Sequence, residues 1–140
     1  MEAQSHLVMD ALERLRAVKL RPTRQRLALA HLLFAPGDRH VTAESLFEEA
    51  QAAGVKVSLA TVYNTLHQFT AAGLLREVVV SSACTWFDTN ISDHHHFFYE
   101  DHGALLDIDG ASVDVRGLPE APQGAKVSRV DVIIRLFNSD

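Results

Sequence analysis

Residues 57–69 read VSLATVYNTLHQF, and no other stretch of the chain constrains its fold as tightly. Leu59, Val62, Tyr63, Leu66 and Phe69 recur at the spacing of one face of an amphipathic helix. Ser58, just ahead of this stripe, suits an N-cap, because its side-chain oxygen can accept from a first-turn N–H. Ala60, Thr61, Asn64, Thr65, His67 and Gln68 then face outward. That face is uncharged and rich in hydrogen-bonding groups, whereas a purely solvated helix usually carries more Lys and Glu. It suits base edges and thymine methyls in a major groove. It also suits ordinary solvation, so the surroundings have to decide.

With 140 residues the chain has room for one or two small domains, and an apolar fraction of 47% can build a core. No run of 18 apolar residues exists, so no membrane helix is expected. The first residues, MEAQSHL, lack a basic and apolar leader. Cys84 is the single cysteine, which rules out an intramolecular disulfide and a CxxC zinc site. A cytoplasmic location fits. The net charge of −5 is unevenly spread. Residues 1–76 hold nine Lys/Arg against seven Asp/Glu, and residues 77–140 hold four against eleven. Arg14, Arg16, Lys19, Arg21, Arg24 and Arg26 lie together with no acid among them. Local field governs phosphate binding more than total charge does, so a basic module joined to an acidic one is implied.

Taken in order, residues 5–17 read as a helix capped by Ser5, with Leu7, Val8, Ala11, Leu12 and Leu15 inside. Pro22 disfavours helix at Arg21 and makes a connector. Thr23 caps a second helix, which Pro36-Gly37-Asp38 stops. After an extended His40-Val41, Thr42 opens a third helix that Gly54 closes. The helix of residues 58–72 follows, and then strands at residues 74–80 and 84–88. Three helices, a recognition helix and a hairpin make a winged helix-turn-helix. Residues 96–99 and 104–108 read as a hairpin, residues 116–126 as loop, and residues 127–137 as a long apolar strand. The expected class is α+β: a winged-helix DNA-binding domain at 1–88, then a small α/β dimerisation domain at 89–140. The second domain is too small to stand alone comfortably, so a homodimer is inferred.

Asp93-His94-His95-His96 is the polar cluster with the most chemistry. On a strand His94 and His96 share one side and His95 takes the other. Two imidazoles at i and i+2 are a natural ligand pair, and carboxylates are available from Asp88, Asp93, Glu100, Asp101, Asp107, Asp109 and Asp114. Nitrogen and oxygen donors suit an exchangeable divalent metal (iron, manganese or zinc). The neighbouring Phe97, Phe98 and Tyr99 also allow a haem reading. A solvated strand edge is the plain alternative. No metalloprotease, phosphate-loop or nucleophile-elbow pattern is present, and Cys84 falls in a wing strand, so no enzyme is expected.

Three stretches together resemble the ferric uptake regulator family of metal-responsive repressors: LRPTRQR at 20–26, HVTAESLF at 40–47 joined to SLATVYNTL at 58–66, and DHHH at 93–96. Within that family the segment HHHFFYEDHG, residues 94–103, most resembles the iron response regulator branch. The resemblance implies a first regulatory site from His40, Asp88, His94 and His96, with His40 set against the second domain. It implies a second site from Asp93, His95 and Asp114, whose usual last ligand, a histidine, falls at about Val130. Tyr99 and His102 stand where the family carries a cysteine pair, so no structural zinc held by four cysteines is expected. For DNA it implies Tyr63 and Asn64 at bases, Arg21 in the minor groove, and Arg24, Arg26 and Ser58 at phosphates, with Thr61 on the same helix face. The branch implies a regulator of iron and haem homeostasis that binds iron control elements when iron is scarce. Haem at His94, His95 and His96 would inactivate it. The alternative is a repressor with Fe(II) or Mn(II) as corepressor. The implied partners are a double-stranded operator and a second copy, with no membrane.

Overall fold

The computed structural model describes residues 2–139, with side chains from residue 10 onward. The chain divides into two units, Met1–Ile91 and Ser92–Asp140. The division falls after Ile91 because the residues beyond Asp88 are held by the first unit. The Thr89 N–H donates to the Arg39 carbonyl at 3.0 Å, and the Asn90 N–H to Asp88 Oδ1 at 2.9 Å.

In the first unit, α1 (Glu2–Ala17) starts three residues earlier than its capping signal suggested. Ser5 therefore lies inside the helix, and the side chains of Leu7 and Val8 are outside the described residues. Lys19, at φ 61°, ends the helix, and the Leu20 N–H folds back to the Leu15 carbonyl at 2.9 Å. The connector then enters α2 (Arg24–Phe34), where Thr23 accepts from the Arg26 N–H. The short β1 (His40–Val41) precedes α3 (Ala43–Ala52). Thr42 and Ser45 form a reciprocal capping box there, at 3.1 and 3.0 Å. Next come α4 (Leu59–Ala71), capped by Ser58, and the wing strands β2 (Arg76–Ser81) and β3 (Cys84–Asp88). Their sheet runs β1-β3-β2, all antiparallel.

Leu15, Leu29, Leu33, Val41, Leu46, Val62, Leu66, Phe69 and Phe87 are fully buried and join the three-helix core to the wing. Each such side chain contributes about 1.5–3 kcal/mol by leaving water. Three positions of α4 differ from its sequence pattern. Thr65, read as outward, is buried, and Leu59 and Tyr63, read as core, are exposed. The buried arc is Val62, Thr65, Leu66 and Phe69, so the helix is rotated and Tyr63 joins the outer face. The topology is a winged helix-turn-helix.

The second unit is a sheet of order β5-β4-β6, built from β4 (His94–Tyr99), β5 (Leu105–Asp109) and β6 (Ile133–Leu136). β4 pairs antiparallel with β5 and parallel with β6. Its helical content among the described residues is the single 3-10 turn Gly110–Ser112. Glycine is required there, since a Cβ on Gly110 would sit 2.7 Å from the Asp93 carbonyl oxygen. The long strand expected over 127–137 shrinks to four residues. The cause is local: the Val132 N–H is taken by the His95 side chain, and Arg129 pairs with Asp131. Only residues 133–136 find ladder partners on β4.

Candidate functional site

In the second unit, register assembles the donor group. β4 pairs His96 with Asp107 of β5, and strand alternation puts His94 on the same face. His94 and His96 are 5% and 2% exposed, and their rings meet edge to face at 4.6 Å. Both Nε2 atoms lie 3.3 Å from the same oxygen, Asp107 Oδ1. One donor atom from each of the three lies within 4.8 Å of the others, a spacing that can close around one cation. His94 Nδ1 lies 2.7 Å from the Ser92 carbonyl oxygen. A carbonyl only accepts, so Nδ1 carries the proton, and in the neutral ring the Nε2 lone pair faces Asp107. That is the tautomer of a metal-ligating histidine.

His95 is held the opposite way. The Val132 N–H donates to its Nδ1 at 3.0 Å, so in the neutral ring the proton sits on Nε2. His95 and Asp93 line a cavity of about 510 Å³ with Asp109, Val113, Leu118 and Val130 among its walls. Asp114 is not among those walls, and its carboxylate takes the Arg116 Nε–H at 2.7 Å. Alternation thus separates His95 from His94 and His96, so the three do not share a face.

In the first unit, β1 and β3 set His40 opposite Asp88, with Nε2 and Oδ2 3.2 Å apart. Asp88 is fully buried, and Arg76 of β2 stands opposite it on the other side. The sequence brings forward His40 and Asp88 but gives Asp107 only as one of the available carboxylates. Its signal was the register of the hairpin around residues 101–102, which puts 107 across from 96.

The other polar surface is the outer face of α4. Ser58 Oγ accepts the Thr61 N–H at 3.1 Å and donates to Thr61 Oγ1 at 3.0 Å, so both residues are occupied in starting the helix. Tyr63 Oη donates to Glu44 of α3 at 3.4 Å, and that carboxylate, with partial burial, raises the phenol above its ordinary value. Asn64 is exposed, as are Arg21 and Arg24. Arg21, Thr23, Gln25, Arg26, Thr61, Asn64, Thr65 and Gln68 line one polar groove of about 390 Å³. Cys84 is half-buried and its thiol is raised by that burial, which keeps it protonated.

The model of the ferric uptake regulator family matches residues 17–135. The chain belongs to that family. It is 34% identical over 125 residues to the peroxide operon regulator of Bacillus subtilis, across 89% of this chain and 86% of that one. It is 34% identical over 105 residues to the transcriptional regulator FurA of Mycobacterium tuberculosis, across 74% and 70%. Among solved structures, the ferric uptake regulator of Pseudomonas aeruginosa with manganese superposes with a TM-score of 0.73 at 25% identity, covering 93% of this chain and 98% of that one. The Vibrio cholerae ferric uptake regulator shares the fold at a TM-score of 0.70 and 20% identity, across 90% and 98%. Membership carries the general function of metal-responsive transcriptional regulation. No helix among the described residues is long and apolar enough to cross a membrane.

Proposed function

We propose that this chain is a homodimeric, DNA-binding transcriptional regulator of iron homeostasis whose effector is a divalent cation. The observation that carries the reading is the buried His94–His96–Asp107 group, with the His94 lone pair already turned toward Asp107. Two imidazoles and a carboxylate suit Fe(II) or Mn(II), and also Zn(II). We assign His40 and Asp88 to the same first site. Asp88 and His94 are six residues apart in sequence, which limits their separation to roughly 20 Å of extended chain. When bound, the cation supplies a charge that holds its donors at fixed separations.

In this reading Tyr63 and Asn64 meet base edges, with Thr61 and Arg21 beside them, while Arg24 and the capped turn at Ser58 meet phosphates. Homodimerisation is supported by the second unit's exposed Leu106, Val115, Leu118, Val127, Ile134 and Phe137. An area of that kind on so small a unit calls for a partner. The second site, from Asp93, His95 and Asp114, is left incomplete, with Val130 where the resemblance calls for histidine.

The second reading is that of the iron response regulator branch, with inactivation by haem at the triple-histidine segment. The cavity beside His95, walled by Val113, Leu118 and Val130, is what favours it. One titration separates the two. Purified protein is given Mn(II), Fe(II) or haem while binding is followed to a duplex that it has itself selected from a random pool. Binding gained with metal supports corepression. Binding lost with haem, and unmoved by metal, assigns the haem branch. Absence of any sequence-preferring duplex overturns the regulator reading itself.

A further inference from the structure

Arg26 sits in the basic run and reads as a phosphate contact, but its guanidinium is already engaged. Nη1 donates to the Arg21 carbonyl at 2.9 Å, and Nη2 donates to Gln68 Oε1 on α4 at 3.0 Å. The same Arg21 carbonyl also takes the Thr23 N–H at 2.9 Å. Thr23 in turn accepts from the Arg26 backbone N–H, at 3.2 Å. The connector and the start of α2 are thereby closed into one hydrogen-bonded ring, and the Arg26–Gln68 bond ties α4 to it. Arg21 and Gln68 lie 47 residues apart in sequence and line the same polar groove with Thr61 and Asn64. A planar guanidinium bonding two acceptors with separate nitrogens fixes their separation and angle, and a lysine ammonium cannot reproduce that fork.

We infer that Arg26 is a positioning residue that clamps the Arg21 connector to the reading helix at Gln68, and so sets the width of the groove that meets DNA. This rests on the reading of α4 as the DNA-facing helix. A phosphate contact and a clamp leave different traces. Removing a phosphate contact weakens binding to all sequences alike and lowers the slope of log affinity against log salt by about 0.9. Removing a clamp costs discrimination, because base contacts depend on geometry, and leaves the slope in place.

The test uses the full chain, the selected duplex and a scrambled duplex of equal length, over a salt series, with thermal unfolding recorded for every variant. Arg26→Lys keeps the charge and loses the fork. It is expected to bind the selected duplex about tenfold less well, with the scrambled duplex and the salt slope unchanged. Gln68→Ala leaves Arg26 intact and removes its acceptor on α4. The two substitutions combined should cost no more selectivity than Arg26→Lys alone. Full rescue by lysine, with a lowered slope in Arg26→Ala, would overturn the clamp and make Arg26 a phosphate contact. Additive losses in the double variant would also overturn it. A wild-type chain that selects no duplex brings down the DNA-facing reading and the clamp with it, whereas a selecting wild type with a normal lysine variant sinks the clamp alone.

Discussion

At the scale of single residues, the chemistry depends on which nitrogen carries a proton. His94 donates its Nδ1–H to the Ser92 carbonyl and presents a lone pair, while His95 commits its Nδ1 lone pair to the Val132 N–H. Adjacent and identical side chains thus have opposite fitness as ligands. Replacing His94 and His96 with alanine should abolish metal-dependent DNA binding while the metal-free protein keeps its melting temperature within a few degrees. Operator binding followed with and without Mn(II) measures the first, isothermal titration with Mn(II) gives the metal affinity, and scanning calorimetry measures the second. Undiminished metal binding in that variant would remove the site. His95→Ala should retain the metal response, and a loss equal to that of the double variant would show that the tautomer argument fails.

Asp101 is a second residue-scale case, at the hairpin end of β4. The Asn138 N–H donates to it at 3.1 Å and pulls its carboxyl below the ordinary 3.8. A depressed folded-state value stabilises above the unfolded value and is lost as pH falls through the folded one. Wild type should therefore melt above Asp101→Asn near neutral pH, with the gap closing below about pH 4. A gap constant across that range would sink the assignment. Beside it, Tyr99 and His102 stack with centroids 4.5 Å apart.

At the scale of elements, capping decides where helices begin. Thr42 and Ser45 satisfy two otherwise orphaned N–H groups at the start of α3, directly after β1. Thr42→Ala should cost about 1 kcal/mol of unfolding free energy, read by urea titration. Because the cap abuts β1, the same variant should weaken metal affinity less than His40→Ala does. The helix α4 shows how packing overrides pattern. Thr65 is drawn into the core although polar, and Tyr63 is turned outward to Glu44, so its hydroxyl is presented on the outer face of the helix.

At the scale of the whole molecule, charge is partitioned: the first unit carries the basic run and balances nine Lys/Arg against nine Asp/Glu, while the second holds four against nine. A protein that neutralises six or so phosphates should lose roughly a thousandfold in affinity between about 50 and 200 mM salt. Fluorescence anisotropy over that range checks it, and a flat response would exclude the segment 14–26 as a phosphate surface.

Local signals were legible without coordinates, because they act over one helical turn or one strand pleat. The Thr23, Thr42 and Ser58 caps, the wing hairpin and the shared face of His94 and His96 all belong to this class. Long-range pairing was not legible. How far β6 runs, which way α4 is rotated and where the Arg26 guanidinium goes depend on partners dozens of residues away. Hydrophobic spacing names a face to within one residue, but only packing against the rest of the core decides whether Tyr63 or Thr65 lies inside it.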